Sequence, residues 1–161
     1  MIVISDTSPL IHLAACNHLH LLKLLYGQIV IPISVDEEIR LKGKDEDIKL
    51  QVSSADWIIT KSAIDRKLVN QLDQKLDGAE AEAIVLAIEL NADLLLIDEG
   101  KGRTIAQQFH LKTGGVLSVL IEAKRQKLIP DVKPLIEQMI QLTGFRISEE
   151  LLEEIWRIVE E

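Results

Sequence analysis

Short apolar runs that alternate with helical segments predict a three-layer α/β/α sandwich with a mainly parallel central sheet. Three observations carry this expectation. Ile2-Val3-Ile4 and Leu94-Leu95-Leu96-Ile97 are continuous apolar runs, as suits strands covered on both faces. Each run leads into a segment of helical spacing, the alternation that builds parallel sheets. The composition is 47% hydrophobic but only 3% aromatic, so aliphatic side chains must fill the core, which suits α/β layers better than an all-β sandwich.

The elements follow in order. A first strand over residues 2–5 ends on Asp6, and Ser8 and Pro9 offer an N-cap and a first helical position for a helix to about residue 15. Asn17 interrupts, residues 18–26 make a second amphipathic piece, and Gly27 ends it. Residues 29–33 form a second strand that Pro32 stops. Ser34 caps a short helix over 35–41, and a weaker helix spans 45–53. Residues 57–60 suggest an edge strand, and residues 65–76 an amphipathic helix. Asp77-Gly78 marks a turn before a helix over 79–90, apolar nearly all the way round and therefore buried. The clearest strand is 93–97, with Asp98 immediately after it. A helix over 100–109, a short strand over 111–113 and helices over 116–127 and 132–142 complete the main domain, assigned to residues 1–145. Residues 146–161 carry an acidic helix with Leu151, Leu152, Ile155, Trp156 and Val159 at helical spacing, fit to pack on the domain or to make a dimer contact.

The single cysteine, Cys16, cannot form an intramolecular disulfide and fits a reducing, cytoplasmic setting. No run of 18 apolar residues predicts a membrane span, and the first residues do not read as a signal peptide. A net charge of -8 argues against coating nucleic acid by charge alone. The charge is uneven, however. Between residues 99 and 133 there are seven basic and three acidic residues, so Lys101, Arg103, Lys112 and Lys124 could meet a polyanion on a local basic face. A solvated helix surface explains the same residues without a ligand.

The acids carry the chemistry. Asp6 and Asp98 follow two strands, Glu38 lies one helical turn beyond a third, and Glu80 opens the buried helix that leads back to Asp98. In an open parallel sheet the carboxyl edge is where ligands bind. One isolated acid there would read as a cap or a dipole partner. Four together repel strongly and call for protonation or a divalent cation. With no cysteine cluster and no zinc spacing among the four histidines, oxygen ligands point to Mg²⁺ or Mn²⁺. Such a site supports phosphodiester hydrolysis. Thr7 and Ser8 could hydrogen-bond a ligand carboxylate. Glu82 lies about 200° round the helix from Glu80, so one straight helix cannot easily aim both into one pocket. Glu99 is an outer candidate beside Asp98.

Four segments carry a family resemblance. Ile4-Ser5-Asp6-Thr7-Ser8 resembles the opening strand end of the PIN-domain nucleases, which include the VapC-type toxins. Ile31-Pro32-Ile33-Ser34-Val35-Asp36-Glu37-Glu38-Ile39 resembles their second acidic segment. Leu76-Asp77-Gly78-Ala79-Glu80-Ala81-Glu82-Ala83-Ile84 is similar to the Leu-Asp-x-Gly-Glu-Ala-Glu-Ala signature of one prokaryotic branch, and Leu95-Leu96-Ile97-Asp98-Glu99 to its last acidic strand end. Gly114-Gly115-Val116-Leu117 and Ala123-Lys124 also look like that branch. The interval from Glu80 to Asp98 matches the family's spacing of third and fourth acids, which favours Glu80 over Glu82. The departures are Gly78-Ala79 before Glu80, Glu where toxin members commonly carry Asp, and Glu99 in place of a second Asp. The resemblance implies a Mg²⁺- or Mn²⁺-dependent ribonuclease, often a homodimer and often the toxin paired with a small antitoxin protein. The alternative is a catalytically weak or inactive PIN-fold module that binds nucleic acid or protein. An aspartyl-phosphate receiver fits less well, because Asp56 precedes its strand instead of ending one.

Overall fold

The computed structural model describes residues 1–98 and 100–161. Five strands, β1 (Val3–Ser5), β2 (Ile29–Pro32), β3 (Ile58–Lys61), β4 (Leu94–Leu96) and β5 (Thr113–Gly114), form one sheet in the order β3-β2-β1-β4-β5. Every pairing is parallel, and β1 is tied to both β2 and β4. The chain winds outward from β1 to β3, then returns to the other side of β1 for β4 and β5. The strand order therefore reverses between β1 and β4, and a crevice opens at the carboxyl ends of those two strands.

Alternation along the strands fills two cores. Val3, Ile29, Ile31, Leu94 and Leu96 face one layer, which contains α1 (Thr7–Ala15), α2 (Leu21–Tyr26), α4 (Glu46–Ser53), α8 (Val116–Arg125), α9 (Lys133–Thr143) and α10 (Glu149–Val159). Ile4, Leu95 and Ile97 face the other, where α5 (Arg66–Asp73), α6 (Gly78–Glu89) and α7 (Lys101–Gln108) pack. Neighbouring residues of one strand thus serve opposite cores, the period of two that a strand imposes. The three-layer sandwich is the architecture expected from the sequence.

Several boundaries differ from those read in the sequence. The first helix begins at Thr7, with Asp6 in the N-cap position, so Ser8 is not the cap and Pro9 falls in the first turn. Pro is tolerated there because its missing N–H would have had no intrahelical partner. The second strand passes directly into α3 (Ile33–Glu37), which continues as a π-helical stretch, Glu38–Lys42. Ser34 is therefore inside the helix, not its cap. The last strand is Thr113–Gly114 and not 111–113, because Leu95 N–H bonds to the Lys112 carbonyl and Ile97 N–H to that of Gly114.

Helix α10 packs on the domain, burying Ile155 and Val159 in the first core. Glu161 then secures it. Its carboxylate accepts from the Val132 and Lys133 N–H groups, each at 2.8 Å, and from Lys124 Nζ at 2.9 Å. Those two N–H groups open α9 and have no intrahelical partner, so an anion is favoured there. This holds the Glu161 carboxyl below the usual carboxylate range, despite the opposing effect of burial. Glu161→Ala is expected to lower stability by about 1–3 kcal/mol, the cost of leaving such donors unpaired. A reduced urea midpoint at unchanged m-value checks it; an unchanged midpoint would show that α10 does not need this clasp.

Candidate metal centre

Asp6 follows β1, and its N–H bonds to the Leu96 carbonyl at 2.9 Å, which anchors it at the β1–β4 crevice. Although it occupies the N-cap of α1, its side chain makes no cap hydrogen bond. The carboxyl group is instead turned inward. The residue is 6% exposed, and its Oδ1 is buried with no hydrogen-bond partner. An unpaired buried carboxyl oxygen is costly.

The pocket it faces has a volume of about 150 Å³ and is lined by Asp6, Thr7, Ser8, Glu38, Asp77, Glu80 and Asp98. Each wall has a local cause. Glu38 opens the π-helical stretch, and its Oε2 accepts from the Thr7 hydroxyl at 3.1 Å, while its neighbour Ile39 is in the core. Asp77 is the N-cap of α6 and accepts from the Glu80 N–H at 2.9 Å. That bond fixes the first turn from which Glu80 projects. Asp98 stands just beyond β4, with Oδ2 3.3 Å from His12 Nε2 and Oδ1 3.5 Å from the Val116 N–H. The four acids singled out in the sequence thus share one pocket, with Thr7 and Ser8 in its wall.

Crowding shows in the proton affinities. Burial, and then the negative charges of Glu80, Asp77 and Glu38, push Asp6 up to about 7, against the opposing bond from the Thr7 backbone. Burial, and then the shared hydrogen bond and charge of Asp77, with Glu38 adding, push Glu80 up to about 7. Like charges held close in a poorly solvated site must either retain protons or gain a cation.

Glu82 has a different fate. It is fully buried, and its Oε1 accepts from the Ser34 N–H at 2.9 Å and the Ser34 hydroxyl at 2.6 Å. Its Oε2 accepts from the Ala63 N–H at 3.1 Å and from the Arg66 guanidinium. Burial raises its carboxyl pKa, but these donors more than offset that and leave it below its ordinary value. Glu82 is a structural anchor outside the pocket. Removing it leaves the buried Ala63 N–H among others unpaired, at on the order of 1–3 kcal/mol for each such group. Glu82→Ala should therefore lower the melting temperature by several degrees while the acidic pocket stays intact; an unchanged melting temperature would contradict the anchor role.

Two residues of the site have weaker signals in the sequence. Asp77 reads as part of a turn; its position three residues before Glu80, the spacing of a helix cap, is the signal that marks it. His12 carries no metal-ligand spacing. The Thr143 hydroxyl donates to the Met139 carbonyl at 2.6 Å, so it receives the His12 Nδ1–H at 2.8 Å. This orients the ring so that Nε2 faces Asp98. Phe145 braces the ring edge-on, 4.9 Å away.

The basic candidates divide. Arg103 donates from Nε and Nη2 to the Ile97 carbonyl, at 3.1 and 2.7 Å, and lies over Gly115 beside Asp98. Lys101 and Lys112 are exposed. Lys124 contacts the Val159 carbonyl, Glu161 and Asp131, where it helps to hold α10. Glu99 lies outside the described residues.

The donor set fits a hard divalent cation in kind, because every candidate ligand is oxygen and one buried oxygen is unpaired. Among the described residues, no three Asp, Glu, His or Cys side chains already stand close enough to hold one ion. Side chains must rotate inward to do so. The profile of the PIN-domain family matches residues 2–161. The chain belongs to the PIN-domain family, whose members are generally nucleases that use divalent metals. No curated protein matches the chain. No helix among the described residues is long and apolar enough to cross a membrane.

The raised acids set a pH dependence. A carboxyl whose folded pKa lies near 7, above its unfolded value near 4, binds its proton more tightly in the folded state. Its contribution is greatest below about pH 4 and is lost as pH rises toward about 7. In EDTA, the wild-type melting temperature should fall across this window relative to Asp6→Asn, which cannot ionise there. Saturating Mn²⁺ should reverse the wild-type loss, by about 2.7 kcal/mol at a hundredfold excess over Kd. Parallel wild-type and Asp6→Asn profiles would overturn this account of Asp6.

Proposed function

We propose that the protein is a Mg²⁺- or Mn²⁺-dependent endoribonuclease that hydrolyses RNA phosphodiester bonds. One observation carries the reading: the buried, unpaired Asp6 carboxyl faces Glu38, Glu80 and Asp98 in one polar pocket at the carboxyl edge of the sheet. Asp6, Glu38, Glu80 and Asp98 would hold the cation. A bound divalent ion would neutralise the carboxylates and supply Lewis-acid stabilisation to phosphate oxygens and water activation.

The chain's own residues prepare that chemistry. Thr7 steadies Glu38, Asp77 fixes the helix turn under Glu80, and the His12 ring stands against Asp98. The small pocket admits a phosphate and water more readily than a base. On the far side of Asp98, a larger groove of about 730 Å³ includes Arg103, Phe145 and Arg146 and could take the flanking RNA. Lys101 and Lys112, exposed on the same half of the molecule's sequence, would add phosphate contacts. The family resemblance extends the proposal to a homodimeric toxin with a small antitoxin partner, which a neighbouring antitoxin gene and co-purification would test.

Asp6→Asn and Asp98→Asn should each reduce Mn²⁺-dependent RNA cleavage at least about a hundredfold, in line with the loss of a required electrostatic group. Cleavage of a mixed panel of structured and single-stranded RNAs, with EDTA as control and melting curves for each variant, checks this. Equal cleavage by wild type and both folded variants would overturn the proposal. The second reading, a PIN-fold interaction module with a weak centre, is favoured by the separation of the acids as they stand. It expects Mn²⁺ neither to raise the melting temperature nor to support cleavage.

A further inference from the structure

We propose that Gly102 is a positioning residue for Glu80, leaving the space in which the longer Glu carboxylate sits. The inference rests on the metal reading above and concerns a residue outside the acidic set. Gly102 is buried in the first turn of α7. A methyl group on its Cα would overlap Glu80 Oε2 and come within 2.9 Å of Ile97 Cδ1 and 3.2 Å of Glu80 Cδ. The cap of α6 and a glycine of α7 therefore bear on one residue. Asp77 holds the Glu80 backbone N–H at 2.9 Å, and the bare Cα of Gly102 accepts its head group.

Ordinary helix energetics do not account for the glycine. Gly102 has no positive φ, and an alanine in a helix is more favourable than a glycine. What the position lacks is room, and the group occupying that room is a candidate ligand. An aspartate in place of Glu80 would be one methylene shorter and would withdraw from Gly102. Glu80 and Gly102 thus form a complementary pair: the long acid requires the bare backbone opposite.

An alanine would displace the Glu80 carboxylate, the free end of a flexible side chain, and would crowd the buried Ile97 Cδ1, so Gly102→Ala can fold by moving the carboxylate and a small shift of Ile97. Metal-free melting should stay at or modestly below wild type, since the helix preference of alanine offsets part of the crowding at Ile97. Mn²⁺ affinity, measured by calorimetry, should fall about 10–100-fold, the usual effect of disturbing a group that orients a metal ligand. Glu80→Asp supplies the decisive comparison. In that background Gly102→Ala should cause no further loss of affinity, since the shorter carboxylate no longer occupies the space the methyl group takes. A purely structural effect of the alanine would persist in both backgrounds.

Equal Mn²⁺ affinity for wild type and Gly102→Ala overturns the inference while leaving the metal centre standing. So does an equal loss from Gly102→Ala in the wild-type and Glu80→Asp backgrounds. Wild-type protein that binds no Mn²⁺ overturns the metal reading, and this inference with it.

Discussion

Electrostatic repulsion among carboxyl groups at the β1–β4 crevice is the constraint on which the rest of the site depends. The fold creates it. Reversal of strand order beside β1 leaves a gap at the carboxyl edge, and the chain fills that gap with Asp6, Asp98 and the first turn of α6. A sheet of this kind would be more stable with small polar residues there. Instead, one carboxyl oxygen is buried without a partner, and two carboxyl groups retain protons up to about neutral pH. Strain localised in this way is the pattern of a site whose missing charge comes from a ligand.

Glu80 and Glu82 show how little sequence distance separates the two fates of an acid drawn into the fold. Both are on α6. Glu82 is surrounded by donors, from Ser34, Ala63 and Arg66, and its charge is fully satisfied within the protein. Glu80 faces other acids and a glycine. The first arrangement lowers the carboxyl pKa and secures α6 against α3 and the end of β3; the second raises it and leaves the group available. Both are withdrawn from water, Glu82 fully and Glu80 in part, so it is the supply of donors that separates an anchor from a candidate ligand.

The parallel layers were legible because they depend on local patterns. Continuous apolar runs mark β1 and β4, a longer apolar stretch opened by Asp77-Gly78 marks α6, and the helical period marks α10. The acids at strand ends were legible for the same reason, since a strand's end fixes where the next residue points. What was not legible depends on contacts between distant segments. His12 reaches Asp98 only because Thr143, from α9, turns its ring. Lys124 resembles a phosphate contact until Glu161 and the Val159 carbonyl claim it. Asp77 has the right spacing for a cap, but its place in the pocket follows from where α6 docks. The cap of α1 lies two residues earlier than Ser8 because Asp6 takes the N-cap backbone position while its side chain serves the pocket.

The engagement of Lys124 with Glu161 bears on how an acidic chain could meet RNA. With a net charge of -8, approach cannot rest on a uniform positive surface. It must rest on few, local charges, and those nearest the acids are constrained. Arg103 is held against the Ile97 carbonyl and the backbone of Gly115, so its guanidinium is a fixed part of the wall beside Asp98. One cation beside several acids adds little net attraction at long range, but on the proposed function it would set the register of a phosphate that has arrived. Neutralisation of the acids by a cation would then decide whether a phosphate can enter at all. On the proposed function metal and RNA would be coupled: an empty centre would repel the backbone that a filled one receives, and weak charge elsewhere on the surface would make that coupling the main control on binding.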